Sequence, residues 1–427
     1  MSSHTTLLSP RPFENCAGKL LLLPLLPALK PVILPSEIWN NVFQHLAHLE
    51  GGRATLWTLM LMSKSFKDIA LPLLYSQVRF HDLKTFEKFC KQVHDADAKW
   101  DSIRRIPYSA PARWVHTIDL SEIPYIGRNE ALRLDGLLTG VFPLLPFLAH
   151  LSMNPSFILS RRAMTALGDR PGAYHIRSLS GISYIPSRRL ASCHEPIVEL
   201  LRNCVNLEEL EVIAQEQDND TFSLDDLSIS AISSVHCPSC TPLNLPRLRI
   251  LTLLSTLHFS HFMLSLLISP LPSLAKVTIT PSDDIPQSLN SRFISTHGIN
   301  LRSLLLFSPK SWPTRLHPSP ADILITCPHL RHLSLENPLP QLTLQKVHPL
   351  EILSITRPSA ECWSLLSRLL PFLPSLRAVR ARDVRWLRKG MGTVAQEAGV
   401  QGEMREWRRR LARRGIRVLD ADWRDTE

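Results

Sequence analysis

The chain's one pair of cysteines at metal-binding spacing is Cys237 and Cys240, within His236-Cys237-Pro238-Ser239-Cys240. Structural zinc takes four tetrahedral N or S ligands, commonly as two such pairs. No second pair stands at a suitable distance, and Cys193-His194 does not supply one. The two thiols therefore read as loop cysteines, and no metal is expected. The eight cysteines are scattered at irregular intervals. That suits free thiols in the cytosol or nucleus better than a disulfide framework. No Walker loop, dinucleotide fingerprint, Gly-x-Ser-x-Gly elbow or His-Glu-x-x-His helix occurs, and each of those chemistries depends on its motif's geometry. Only 15 glycines are present, which also argues against glycine-built phosphate loops. No catalytic residue and no cofactor is expected, and a cryptic hydrolase is kept only as a reading of another class.

Charge is the next resource. The formal net charge is +10, and residues 380–417 hold twelve basic against four acidic residues, so the rest is close to neutral. Within that segment Val400, Met404, Trp407 and Leu411 recur at steps of four, three and four, one face of a helix. Arg405, Arg408, Arg409, Arg410, Arg413 and Arg414 cover much of the remainder. Gly415 can end the helix, and Ile416 and Val418 suggest a closing strand. Arginine forks bind carboxylate or phosphate bidentately. Arg408, Arg409, Arg410, Arg413 and Arg414 are therefore candidate contacts to an acidic or modified target, with a solvated helix face as the plainer reading. Charge confined to one segment is not a global nucleic-acid signature, and nucleic acid is not the favoured partner.

The elements that would carry these groups begin after residue 30. Residues 20–29 are apolar, but Pro24 and Pro27 interrupt them, and some ten residues cannot span a bilayer as a helix. Residues 1–30 are expected to be a disordered leader, and no membrane segment is expected. Leu34-Pro35-Ser36-Glu37-Ile38 then opens a helix with Pro35 or Ser36 at the cap and Glu37 in its first turn. Ile38, Val42, Phe43 and Leu46 follow at helical spacing. Gly51-Gly52 breaks the chain, Leu56, Leu59, Met60 and Met62 form a second apolar run, and Ser63 can cap a third helix carrying Phe66, Ile69, Leu73 and Leu74. A module this small buries little surface alone and gains from a partner over its remaining apolar face.

The segments LPSEIWNNVFQHL and TLMLMSKSFKDIALPLLY resemble the F-box, in the form common among fungal F-box proteins. Leu34, Pro35, Glu37, Ile38, Phe43, Leu46, Ser63, Lys64, Phe66, Ala70, Pro72, Leu73, Leu74 and Tyr75 match positions of that pattern. The intervening loop, AHLEGGRATLW, is longer than the pattern's, and Met60 and Met62 replace smaller aliphatics, where methionine is expected to fill core gaps. The resemblance implies docking to the S-phase kinase-associated adaptor and, through it, to a cullin scaffold. Leu34, Pro35, Ile38, Val42, Phe43, Leu46, Leu59 and Phe66 are the adaptor contacts it implies.

Beyond a linker expected over residues 79–113, one unit recurs: apolar-x-x-apolar-x-apolar. It stands at Val115/Ile118/Leu120, Leu148/Leu151/Met153, faintly at Ile176/Leu179, then at Leu207/Leu210/Val212, Leu248/Leu251/Leu253 and Leu274/Val277/Ile279. It continues at Leu301/Leu304/Leu306, Leu330/Leu333/Leu335, Leu350/Leu353/Ile355 and Leu376/Val379/Ala381. First positions are separated by 33, 28, 31, 41, 26, 27, 29, 20 and 26 residues, mostly at or near the period of about 20–29 of leucine-rich repeats. Apolar helical stretches at 196–204, 262–268, 321–327 and 363–370 precede several strands. Cys327-Pro328-His329-Leu330 and Leu271-Pro272-Ser273-Leu274 resemble the repeat entry of F-box-associated leucine-rich repeats. The asparagine of regular repeats is missing after most strands, so an irregular solenoid is expected.

The expected fold is α/β: a helical F-box over 31–78, then a leucine-rich-repeat-like solenoid over 114–423, one strand plus helix per repeat. A long loop is expected over 215–245 and a basic cap over 394–423. A constant period without a Gly-rich turn disfavours a doubly wound sheet. The expected function is a non-catalytic substrate receptor of a cullin–RING ubiquitin ligase, cytoplasmic or nuclear, holding an unknown protein target. A scaffold that binds the adaptor without promoting ubiquitination is the alternative.

Overall fold

Side chains two positions apart share a face only where the backbone is extended, so the recurring apolar pairs demand strands. A computed structural model of the chain describes residues 34–99, 111–125, 127–185, 195–214, 241–254, 261–280, 289–307, 322–337, 339–340, 342–386 and 399–425. The chain divides between Leu73 and Leu74 into two compact units.

The first unit is helical: α1 (Ser36–Ala47), α2 (Gly52–Met62) and most of α3 (Lys64–Ser76). Pro35 holds the α1 N-cap position, and its carbonyl accepts the Ile38 amide at 3.1 Å. Ser63 caps α3, its Oγ accepting the Phe66 amide at 3.1 Å. The α1–α2 corner needs both glycines. Gly51 sits at φ +74°, and a Cβ on Gly52 would lie 1.8 Å from the Leu46 carbonyl oxygen, far inside contact distance.

The second unit is built on a twelve-stranded parallel sheet whose spatial order is its chain order. The strands are β1 (Gln77–Arg79), β2 (Thr117–Leu120), β3 (His150–Met153), β4 (Ser178–Tyr184), β5 (Glu209–Ala214), β6 (Ile250–Leu254), β7 (Lys276–Ile279), β8 (Ser303–Leu306), β9 (His332–Ser334), β10 (Ile352–Ile355), β11 (Ala378–Ala381) and β12 (Arg417–Leu419). Residues of every recurring apolar unit are 5% exposed or less. One aliphatic row runs in register through all twelve strands: Val78, Ile118, Leu151, Leu179, Leu210, Leu251, Val277, Leu304, Leu333, Leu353, Val379 and Val418. Parallel neighbours require a crossover between them. Helices α4 (Leu83–Ala98), α5 (Arg128–Val141), α6 (Arg161–Gly168), α7 (Pro196–Asn203), α8 (His261–Ile268), α9 (Leu289–His297), α10 (Ile323–Thr326), α11 (Ala360–Leu369) and α12 (Gly399–Ala412) lie on these connections. From α4 to α10 each packs on the next, and their buried faces close one continuous core with the strand row. The described strands contain no reversal of order, so the sheet has no switch point of the doubly wound kind.

Several expectations are corrected. The range read as a linker, 79–113, holds the end of β1 and all of α4. Asp82 caps that helix by accepting the Thr85 amide at 2.7 Å, and Phe86, Phe89, Cys90 and Val93 bury one face. Because β1 joins the sheet, residues 77–78 belong to the second unit and not to the helical module. The faint unit at Ile176/Leu179 is a full seven-residue strand, β4, with a register shift between Leu179 and Ile182. Gly181 makes that bulge feasible at φ +66°, where a Cβ would collide with the Met153 carbonyl. The loop expected over 215–245 ends earlier, since Leu243 and Leu245 are core residues; 215–240 lie outside the described residues. So do the leader 1–30, Cys193-His194, Cys237, Cys240 and residues 394–398 of the expected cap. In residues 399–423 Met404, Trp407 and Leu411 are buried and Val400 is half-buried, Gly415 follows the helix at φ +71°, and β12 pairs with β11.

Candidate functional site

The helical unit has a small interior. Phe43, Leu56 and Ala70 are its buried apolar side chains, at 1%, 0% and 0% exposure. Trp39 and Phe66 complete the interior: their rings stand 4.9 Å apart, and Phe66 meets Phe43 edge-on at 5.3 Å. This aromatic triad ties α1 to α3.

Around that interior lies an apolar surface. Of the 19 large apolar residues exposed among the described residues, seven fall between positions 34 and 62: Leu34, Ile38, Val42, Leu49, Trp57, Leu61 and Met62. Leu34, Ile38 and Val42 are 38%, 45% and 46% exposed; Ile38 and Val42 share one face of α1, and Leu34 stands just before its N-cap. Trp57 and Leu61, 58% and 72% exposed, are four apart on α2. A concentration of this kind is what an interaction surface looks like, whereas single exposed leucines are ordinary. Covering each of these side chains is worth on the order of 1 kcal/mol.

The residues singled out from the sequence separate on this geometry. Leu34, Pro35, Ile38 and Val42 are exposed, and Leu46, Leu59 and Phe66 are half-buried. Phe43 is corrected from contact residue to core: at 1% exposure it has no surface to offer. Met62 is likewise no gap filler but 70% exposed. Trp57, Leu61 and Leu49 were not foreseen. For Trp57 and Leu61 the signal was that the second half of α2, LWTLMLM, has more large apolar residues than one helix face can bury; Leu49, in the turn before α2, gave none.

The five candidate arginines belong to the second unit, Arg408, Arg409 and Arg410 on α12 and Arg413 and Arg414 just after it. Arg409 and Arg410 pair with Glu406 at 3.5 and 2.7 Å, and Arg408 stands 3.9 Å from Asp425. The Arg410 guanidinium also lies 5.0 Å over the Trp363 ring. Arg413 and Arg414 are exposed past the helix end. Exposed pairs like these contribute little to stability.

Burial shifts several titratable groups among the described residues. Burial pushes the Cys90 and Cys204 thiols up to about 12 and Cys327 to about 11, so none is a thiolate at neutral pH. Burial also lowers His297, His332 and His348, His332 to about 4. Among the described residues no cluster of three His, Cys, Asp or Glu could hold a metal ion, and no helix is long and apolar enough to cross a membrane. No protein-family model matches the chain, and no curated protein matches it either.

Proposed function

We propose that the chain is a non-catalytic substrate receptor of a cullin–RING ubiquitin ligase. On this reading residues 34–75 are an F-box that docks the S-phase kinase-associated adaptor, and the second unit is an irregular leucine-rich-repeat solenoid that holds a protein target. The observation that carries the reading is the exposure of Leu34, Ile38 and Val42 at the start of the helical unit, with Trp57, Leu61 and Met62 of α2 exposed as well. It coincides with the opening residues of the F-box pattern. Support for the solenoid comes from twelve strands stacked in chain order, each adding one residue to the same aliphatic row, buried on every strand but β1, where Val78 is half-buried. The receptor would act by proximity, because tethering a target beside a charged conjugating enzyme turns encounter into a near-intramolecular step.

The test is affinity purification of the full chain beside a Leu34→Ala/Pro35→Ala/Ile38→Ala variant. Adaptor and cullin should accompany the wild type and be absent from the variant, with helix content unchanged. Equal recovery of both proteins with the variant would overturn the reading.

A further inference from the structure

The exposed apolar residues of the helical unit begin where the described chain begins. Leu34 is the first of them, and Ile38 and Val42 follow on α1. The segment that leads into Leu34 is itself apolar. Residues 20–29 hold seven leucines, one alanine and two prolines, with no charge. Two apolar stretches this close in one chain are both costly in water, and packing one on the other removes both from it. Helix α1 cannot be prolonged to absorb the run. Pro35 stands at its N-cap with φ −55° and ψ 150°, and Pro24, Pro27 and Pro31 recur upstream.

Length and charge both suit a cover supplied by the chain itself. Ile38 and Val42 are about 6 Å apart along α1, and Leu34 stands just before its N-cap. Ten residues of extended chain reach about 33 Å, enough to pass over all three. Between Leu29 and Leu34 stand Lys30 to Ile33, four residues, the length of a common turn connection. So short a tether makes the encounter intramolecular, at an effective concentration on the order of millimolar. Lys19 and Lys30 bracket the run. Glu37 is the one acidic residue of α1, exposed and without an ion pair among the described residues.

We propose that residues 20–29 occupy the surface of Leu34, Ile38 and Val42 in the free chain, and that the adaptor must displace them. The identity of the competitor rests on the receptor reading above, and the inference adds a regulation of that same surface. Apparent affinity for the adaptor falls with the fraction of molecules left uncovered. The test compares the full chain with a Leu21→Ser/Leu22→Ser/Leu25→Ser/Leu26→Ser variant, which alters no described residue. Hydroxyl-radical footprinting should show oxidation of Leu34, Ile38 and Val42 rising at least twofold in the variant. Leu132 and Val347, exposed in the second unit, should oxidise equally in both proteins. Titration with purified adaptor should give at least fivefold tighter binding to the variant. Unchanged oxidation on α1, or equal adaptor affinity, overturns the inference. So does protection that disappears on dilution of the wild type, which would place the run on a second copy. Equal adaptor binding with unchanged oxidation sinks this inference alone. Raised oxidation with no adaptor binding by either protein leaves the cover standing and sinks the receptor reading alone.

Discussion

Two buried histidines, His297 and His348, and the half-buried His332 make the second unit sensitive to acid. His297 Nε2 donates to the Leu266 carbonyl at 3.2 Å and His348 Nε2 to the Cys327 carbonyl at 3.0 Å, bonds a neutral ring can make. His332 is lowered furthest, first by burial and then by Arg380, Lys276 and Arg382. A histidine whose folded pKa lies below its unfolded value leaves the unfolded chain binding more protons. The stability it contributes is complete above about pH 6.5 and drains away as pH falls toward about 4. For His332 the loss is on the order of 1–2 kcal/mol once partial exposure is discounted. Urea midpoints between pH 7 and pH 4 should therefore decline, less steeply in a His332→Asn variant; parallel declines in both proteins would contradict the assignment. Glycine is decisive at a second residue. Gly52→Val should unfold the α1–α2 corner, because the added carbons meet the Leu46 carbonyl. Loss of helical circular dichroism from the isolated segment 31–76, or of adaptor capture by the full chain, would report it. Normal capture would show that the backbone can yield there.

At the scale of elements, α1 and α2 divide into residues that hold the unit and residues that face outward. Trp57→Glu with Leu61→Glu should leave melting temperature and helix content near wild type while abolishing adaptor capture. Phe43→Ala should cost about 3–5 kcal/mol in local stability. If the Trp57/Leu61 variant melts like Phe43→Ala, those side chains are core and the surface is misread. The sequence could not make this division. Leu34, Ile38, Val42 and Phe43 are all apolar at helical spacing, and periodicity finds a face without saying whether protein or solvent covers it. The same ambiguity hid Leu61 and Trp57. Strands were easier to read, because each buried unit repeats one short pattern and stacking demands the same parity every time. Helices were harder. α7, α8, α10 and α11 carry dense apolar stretches close to those read, but α5 begins Arg-Asn-Glu and alternates charge with leucine. α4 was hidden by the basic and aromatic residues that suggested a linker, although Phe86, Phe89, Cys90 and Val93 form a regular stripe.

Across the second unit, each strand is bonded only to the strands before and after it in the chain. Stability should then be a sum over neighbours rather than a property of one block. Leu251→Ala, in the middle of the aliphatic row, should cost about 2–5 kcal/mol, and the cost should be local. Hydrogen exchange would read it as lost protection in β5, β6 and β7, with β2 and β11 spared. Equal loss across all twelve strands would mean that the sheet opens as a whole. Connections are correspondingly free to vary. The 41 residues between Leu207 and Leu248 and the 20 between Leu330 and Leu350 both end on the same row in register, since a parallel pair fixes where a crossover finishes and not how long it is.

That row also has a mechanical consequence. Held by its two ends and stretched, the stack would yield from whichever terminus is weaker, one unit per step, each freeing some 25 residues or roughly 85 Å of extended chain. The helix α12 and its strand β12, closed by Met404, Trp407 and Leu411, form the clasp at one terminus, and how hard that clasp must be pulled would set the force at which unravelling starts from there.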